Sequence, residues 1–180
     1  MQYRTDEKSG NALSILGFGC MRFPKKNSGQ IDIYKSEQLI IKAVQKGVNY
    51  FDTAYVYGAS EEVLGKIIQK NNLRGKIFLA TKLPLAKCGK YEDFDVLFNT
   101  QLERLRTDYI DYYLMHNLSD VNLWKNLCDL GLERWIEEKK KRVKGGNERP
   151  DPQEIESFRS RISWKPEDVP KRQEKKDGRA

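Results

Sequence analysis

The sequence has no long hydrophobic run. Its longest apolar stretches, such as 77–80 and 109–115, are far shorter than the ~20 residues that a membrane-spanning helix needs. The N-terminal residues 1–8 are polar and mixed in charge, so they lack the apolar core of a secretory signal. We therefore expect a cytoplasmic protein without a membrane partner.

Cysteine and histidine are also scarce. The 180 residues include 3 cysteines, at Cys20, Cys88 and Cys128, and a single histidine, His116. The cysteines are far apart and odd in number, which fits neither a disulfide framework nor a CxxC metal site. We expect reduced cysteines and no bound metal.

Most of the chain has no excess of charge of either sign. The net charge of +7 arises at the C-terminal end, because residues 139–180 contain 14 Lys and Arg against 8 Asp and Glu, whereas residues 1–138 contain 19 against 18. A basic run at a helix end usually faces solvent and favours the helix dipole. We therefore expect no nucleic-acid partner.

What the sequence does have is a repeat of short apolar strands and amphipathic helices. After an N-terminal hairpin, strands are predicted up to Phe18 and over 48–51, 76–80 and 109–115, and helices after the N-cap Ser36, from Ser60, over 94–105 and over 127–141. Strands and helices that alternate every ~30 residues are typical of a parallel α/β sheet. Periodicity alone does not choose between an open sheet and a barrel.

The character of the sequence changes after Lys141. Residues 142–152 are charged and turn-forming, and the remainder has only scattered apolar residues. Such a composition buries too little apolar surface to offset the entropy of ordering. We expect one α/β domain over 1–141 and a basic tail over 142–180 that is disordered or weakly helical around 152–162.

Four polar side chains lie at the predicted strand ends. Asp52 ends the second strand with Tyr57 five residues later, Lys82 follows the third strand, and His116 ends the fourth. Sites in parallel α/β proteins are built at the C-terminal ends of strands, so we expect the four groups to meet. Tyr55 shares one face with Tyr57 if the segment is extended, and periodicity does not separate the two.

Five stretches of the chain form an ordered pattern. They are Leu16 to Arg22, Phe51 to Gly58, Ser60 to Gly65, Thr81-Lys82 and Asp108 to His116. Their order and spacing resemble the aldo-keto reductases, NADPH-dependent enzymes on a (β/α)8 barrel. The resemblance covers roughly residues 3–141 and implies a parallel TIM-type barrel of which about four βα units are present.

The resemblance also implies a role for each polar residue. It makes Tyr57 the general acid that protonates a carbonyl oxygen as hydride arrives from NADPH. A free phenol has a pKa near ~10 and donates poorly at neutral pH unless a nearby cation stabilises its phenolate. Lys82, held by Asp52, supplies that cation, and His116 orients the carbonyl.

The same resemblance places cofactor contacts after the first strand. It implies that Cys20, Met21, Arg22 and Asp52 contact the nicotinamide ribose region of NADPH, although Cys20 and Met21 equally fit as buried filling. Contacts to the adenine and 2'-phosphate come in this family mostly from later strands. None of these strands is visible after Lys141.

Two functions therefore stay open. The first is reduction of a small-molecule aldehyde or ketone. The second is a truncated or rearranged reductase chain without turnover, which acts as an interaction partner or is non-functional. An incomplete barrel has open edges, so a homodimer or association through those edges is expected, with Val48, Phe51, Ile77, Leu79 and Ile110 or Tyr112 pointing inward.

Overall fold

The computed structural model describes residues 1–118 and 121–142. The strands are β1 (Tyr3–Thr5), β2 (Ala12–Ser14), β3 (Phe18–Gly19), β4 (Tyr50–Asp52), β5 (Phe78–Leu83) and β6 (Tyr112–Met115). The α-helices are α1 (Ile33–Gln45), α2 (Ser60–Lys70), α3 (Tyr91–Leu105), α4 (Val121–Asp129) and α5 (Leu132–Arg142). The predicted tail lies outside the described residues, apart from Arg142 at the end of α5.

The strands form one hairpin and one parallel sheet. β1 and β2 pair antiparallel, whereas β3, β4, β5 and β6 are parallel and follow one another in chain order. The helices α1, α2 and α3 each connect two neighbouring strands of this sheet. The predicted hairpin and the predicted parallel strand-helix repeat are therefore confirmed. Within the described ranges, no helix has the length and apolarity to cross a membrane.

One face of the parallel sheet packs under the helices. Phe51 pairs with Leu79, and both are fully buried. Tyr113, on the same face of β6, is also buried and donates a hydrogen bond from its hydroxyl to Gln101 of α3. The prediction that Phe51 and Leu79 point into a barrel is wrong. Neighbouring residues alternate between faces, so these two point away from the face that Asp52 occupies.

The other face carries aromatic rings. Tyr112 lies there as predicted, in register with Ala80 and Asp52 across the sheet. Its ring centroid is 5.1 Å from that of Tyr50 and 6.3 Å from that of Phe78, in edge-on contacts. Such contacts are the preferred geometry of aromatic pairs.

Helix α1 begins earlier than predicted. Its N-cap is Asp32, whose carboxylate accepts a hydrogen bond from the main-chain N–H of Lys35. Ser36 lies inside the helix and is buried, with its hydroxyl donating to the main-chain oxygen of Asp32. The prediction of Ser36 as the N-cap is wrong because both residue types cap helices, and Asp32 precedes the first helical turn.

The predicted single helix over 127–141 is two helices. α4 ends at Asp129 and α5 begins at Leu132. Gly131 lies between them with φ of 93°, a left-handed conformation that glycine adopts without strain. The glycine therefore ends one helix and lets the chain begin the next.

Helices α2 and α3 approach each other closely at Gly65. A Cβ atom placed on Gly65 would lie 2.3 Å from the main-chain oxygen of Arg104 and 2.6 Å from the carbonyl carbon of Leu105. Main-chain atoms of a packed helix cannot move aside alone. The contact therefore requires glycine at this position.

We expect Gly65→Ala to lower the free energy of unfolding by about 1–3 kcal/mol, because the added methyl group forces α2 and α3 apart. Urea unfolding followed by circular dichroism measures the change. Gly75→Ala is the matched control, since a Cβ there meets nothing within 4 Å. Equal stability of both variants would contradict the close packing of α2 on α3.

Candidate active site

Three of the predicted site residues lie at the C-terminal ends of the strands of the parallel sheet. Asp52 ends β4, Lys82 is the last but one residue of β5, and His116 directly follows β6. The main-chain N–H of His116 donates to the oxygen of Leu83 at 3.0 Å, so this residue still follows the sheet. Parallel strands place their C-terminal ends together, which brings the three side chains to one place.

Lys82 is held by two acceptors, one on the last residue of β4 and one on the residue that follows it. Its Nζ lies 2.6 Å from Asp52 Oδ1 and 2.7 Å from the main-chain oxygen of Thr53. The Lys82 side chain is only 15% exposed and that of Asp52 is 32% exposed. A mostly buried ammonium needs such partners, since an unpaired buried charge is costly. The ammonium is therefore fixed in place.

Tyr57 lies beside this ammonium. Lys82 Nζ is 5.3 Å from the centre of the Tyr57 ring, and the ring of His116 meets it edge-on at 5.7 Å. The loop that carries Tyr57 is a turn with Gly58 at φ of 60°. The structure thus brings Asp52, Tyr57, Lys82 and His116 together.

Tyr55 has different neighbours. Its ring lies 4.2 Å from the guanidinium carbon of Arg104 and 5.9 Å from Lys87 Nζ. Arg104 belongs to α3, on the helix side of the sheet. The segment after β4 is not extended, and the turn separates the two tyrosines that periodicity left together.

The surroundings of His116 favour its neutral form. Its pKa is lowered by partial burial first and then by the positive charge of Lys82, whereas Asp52 raises it. Its Nδ1 is buried and has no hydrogen-bond partner among the described residues. This leaves Nε2 as the ring nitrogen for a ligand oxygen.

The predicted cofactor contacts after β3 differ in exposure. Cys20 is completely buried, and its main-chain N–H donates to the oxygen of Asp52 at 2.7 Å. Burial, with a smaller effect of Asp52, raises the pKa of this thiol. Met21 is 60% exposed and Arg22 is also exposed. Only Met21 and Arg22 of these three present side chains at the surface, and the cofactor contact of all three stays a prediction.

The sequence analysis assigned no role in the site to the buried polar residues that connect the strand ends to the helices. Ser60 donates from its hydroxyl to the main-chain oxygen of Cys20 at 2.8 Å and lies 2.9 Å from the hydroxyl of Thr53. Both hydroxyl residues are buried. The N-terminus of α2 is thereby tied to the ends of β3 and β4.

A second buried group joins α2, β5, α3 and β6. It contains Glu61, Thr81, Gln101 and Tyr113, which share hydrogen bonds of 2.6–2.9 Å. The sequence analysis missed Gln101. The sequence did contain a signal for it, because Gln101 is polar and lies at helical spacing among the apolar residues of α3. Among the described residues, no group of three or more metal-ligating side chains is arranged to hold a metal ion.

The profile of the Aldo/keto reductase family matches residues 15–130. An aldo-keto reductase of Mycolicibacterium vanbaalenii is 34% identical over 135 residues, which are 70% of this chain and 45% of that protein. This chain therefore spans less than half the length of that relative.

Solved structures with a similar fold cover the same part. An aldo-keto reductase from Klebsiella pneumoniae, crystallised in complex with NADPH, has a TM-score of 0.60 and 26% identity over 77% of this chain and 47% of its own. An aldo/keto reductase from Brucella melitensis has a TM-score of 0.52 and 30% identity over 73% of this chain and 49% of its own. The predicted fold, an incomplete parallel barrel of TIM type, is confirmed. The chain belongs to the aldo/keto reductase family.

Proposed function

We propose that this chain reduces aldehydes or ketones with NADPH, and that Tyr57 is its proton donor. The position of Tyr57 carries the proposal, because its ring lies beside both the Lys82 ammonium and the His116 imidazole. The Klebsiella relative that was crystallised with NADPH supports the choice of cofactor. A cytoplasmic location stays a prediction.

The residues of this chain would act on the carbonyl oxygen. When bound, NADPH supplies the hydride that adds to the carbonyl carbon. The hydroxyl of Tyr57 gives its proton to the oxygen as negative charge develops there, which yields the alcohol, and the phenolate regains a proton from water. Lys82 stabilises the phenolate because the ammonium is held close to the ring by Asp52.

His116 would orient the substrate. A neutral imidazole with its proton on Nε2 would donate a hydrogen bond to the carbonyl oxygen, and the buried Nδ1, which has no partner among the described residues, would then carry the lone pair. This donor and the Tyr57 hydroxyl would approach the same oxygen from two sides. Two donors fix the carbonyl in the orientation that hydride transfer needs.

The residues after β3 fit the nicotinamide end of NADPH. Met21 offers an exposed apolar side chain, Arg22 an exposed positive charge, and both follow a residue whose N–H is bonded to Asp52. We propose them, with Asp52, as the cofactor contacts of this part of the chain.

A second candidate function is association without turnover. The parallel sheet of the described residues has β3 and β6 at its two edges, and the chain spans 45% of its Mycolicibacterium relative. Open strand edges favour pairing with another chain. In this proposal the chain acts as a homodimer or as a partner of another barrel segment.

Tyr57→Phe is expected to lower kcat by about 10²–10⁴-fold, the usual effect of losing a general acid. Tyr55→Phe is the matched control and should leave kcat near the wild-type value, because the Tyr55 ring contacts Arg104 and Lys87 instead. NADPH consumption with a panel of aldehydes and ketones measures both variants. Equal losses in the two would contradict the assignment of Tyr57.

Lys82→Met is expected to remove turnover while leaving the dissociation constant of NADPH nearly unchanged, because the ammonium acts mainly on the transition state. Fluorescence titration of the full chain with NADPH measures binding. We expect affinity weaker than micromolar, since the adenine and 2'-phosphate contacts of the family come mostly from later strands. A raised Michaelis constant with unchanged kcat would contradict the role of Lys82.

The second candidate predicts a dimer or a larger assembly of the purified chain. Light scattering measures the mass, and a dye that fluoresces on apolar surface reports exposed strands. A dye-negative monomer of 21.0 kDa that binds NADPH at micromolar concentration would contradict the association. It would instead favour a complete cofactor site in this chain.

A further inference from the structure

Glu61 is a fully buried carboxylate at the start of α2. Its Oε1 accepts hydrogen bonds from Thr81 Oγ1 at 2.6 Å and from Gln101 Nε2 at 2.8 Å, and its Oε2 accepts from Arg104 Nη1 at 3.3 Å. These donors come from β5 and α3. The carboxylate therefore joins three elements behind the candidate active site.

Gln101 extends this group to the main chain of β5. Its Nε2 lies 2.9 Å from Thr81 Oγ1 and 3.1 Å from the main-chain oxygen of Lys82. Its Oε1 accepts the hydroxyl of Tyr113 at 2.6 Å, which fixes the orientation of the amide. The amide therefore points its N–H groups toward β5.

Gln101 contacts the main chain of Lys82 from the helix side of the sheet, whereas the Lys82 side chain lies on the other side. Thr81 points to the helix side, where Glu61 and Gln101 are, and the Lys82 side chain points to Asp52 on the other side. β5 ends one residue later, at Leu83. Gln101 thus binds the main chain of β5 at the residue that carries the ammonium.

A contribution to stability does not by itself explain the buried polar group around Glu61 and Gln101. A buried charge with its partners is often no more stabilising than apolar residues of the same volume. A fully satisfied polar group does fix one arrangement of the elements that it joins. The hydrogen bonds of Gln101 fix β5 at Lys82.

We propose that Gln101 is a positioning residue, whose amide holds the main chain of β5 so that the Lys82 ammonium stays on Asp52 and beside Tyr57. The proposal rests on the proposed role of Lys82 as the cation that stabilises the Tyr57 phenolate. It assigns a function in the site to a residue of α3 that does not touch the substrate.

His116 makes the proposal testable without turnover. It is the single histidine of the chain, so its ring signals in NMR spectra are unambiguous. Burial lowers the pKa of His116 most, the positive charge of Lys82 lowers it further, and Asp52 raises it. A shift of this pKa therefore reports a change in the burial of the ring or in the charges around it, and comparison with Lys82→Met identifies the contribution of Lys82.

The experiment is an NMR titration of His116 in the full chain. Lys82→Met should raise the pKa of His116, because the positive charge is lost. Gln101→Met has nearly the same shape but cannot donate a hydrogen bond, and we expect it to shift the pKa in the same direction as Lys82→Met by a smaller amount. Gln101→Asn, which keeps an amide but is one methylene shorter, should shift the pKa in the same direction if Gln101→Met does not fold.

One control variant separates positioning from stability. Leu97→Ala removes packing from α3 at a buried residue with no part in the polar group. It should keep the wild-type pKa of His116. Unchanged pKa in both Gln101 variants, an equal shift in Leu97→Ala, or no shift in Lys82→Met would each overturn the proposal.

Kinetics distinguish this proposal from the proposed function. If the wild-type chain turns over, Gln101→Met should lower kcat more than it raises KM, as expected for a displaced Lys82. If the chain has no turnover and Gln101→Met still shifts the pKa of His116, the positioning role stands and only the reductase function is overturned.

Discussion

The candidate site depends on one ion pair, in which Lys82 of β5 binds Asp52 of β4 at 2.6 Å. A mostly buried ammonium is costly without a partner, so the pair fixes the distance between the ends of the two strands. Tyr57 and His116 then lie around the same charge, from the loop after β4 and from the end of β6. The other three groups take their places relative to Lys82, which explains why the support of β5 matters for the whole site.

That support begins at the first turn of α2. Ser60 and Glu61 are consecutive, and neighbouring residues of an α-helix point about 100° apart. Ser60 therefore reaches the ends of β3 and β4 through Cys20 and Thr53, whereas Glu61 reaches β5 through Thr81. Two adjacent polar residues thus tie the loop that carries Tyr57 to the strand that carries the ammonium. A purely apolar helix start would pack against both strands without fixing either position.

The sequence was sufficient to predict the order of the strands, the helices that connect them and the meeting of the four polar side chains, because parallel strands place their C-terminal ends on one side of the sheet. It did not predict the break between α4 and α5. It was insufficient where two residues of similar chemistry could each fill the same role. Asp32 and Ser36 both cap helices, and only the structure shows which precedes the first turn. Tyr55 and Tyr57 are equivalent in an extended segment, and a turn separates them. Gln101 was predictable in principle, since a polar residue on an apolar helix face needs a buried partner.

The groups proposed for proton delivery and carbonyl orientation all come from β4, β5, β6 and the loop before α2. Their mutual distances are set by the sheet register and by the buried polar groups within the described residues, and they do not require contacts to the far end of a cofactor. Binding energy from remote parts of a ligand serves to hold the reacting centre in place. Loss of remote ligand contacts is therefore expected to lower cofactor affinity before it disturbs the arrangement around Lys82. The position of that ammonium, and with it Gln101, is thus the feature on which any turnover would depend.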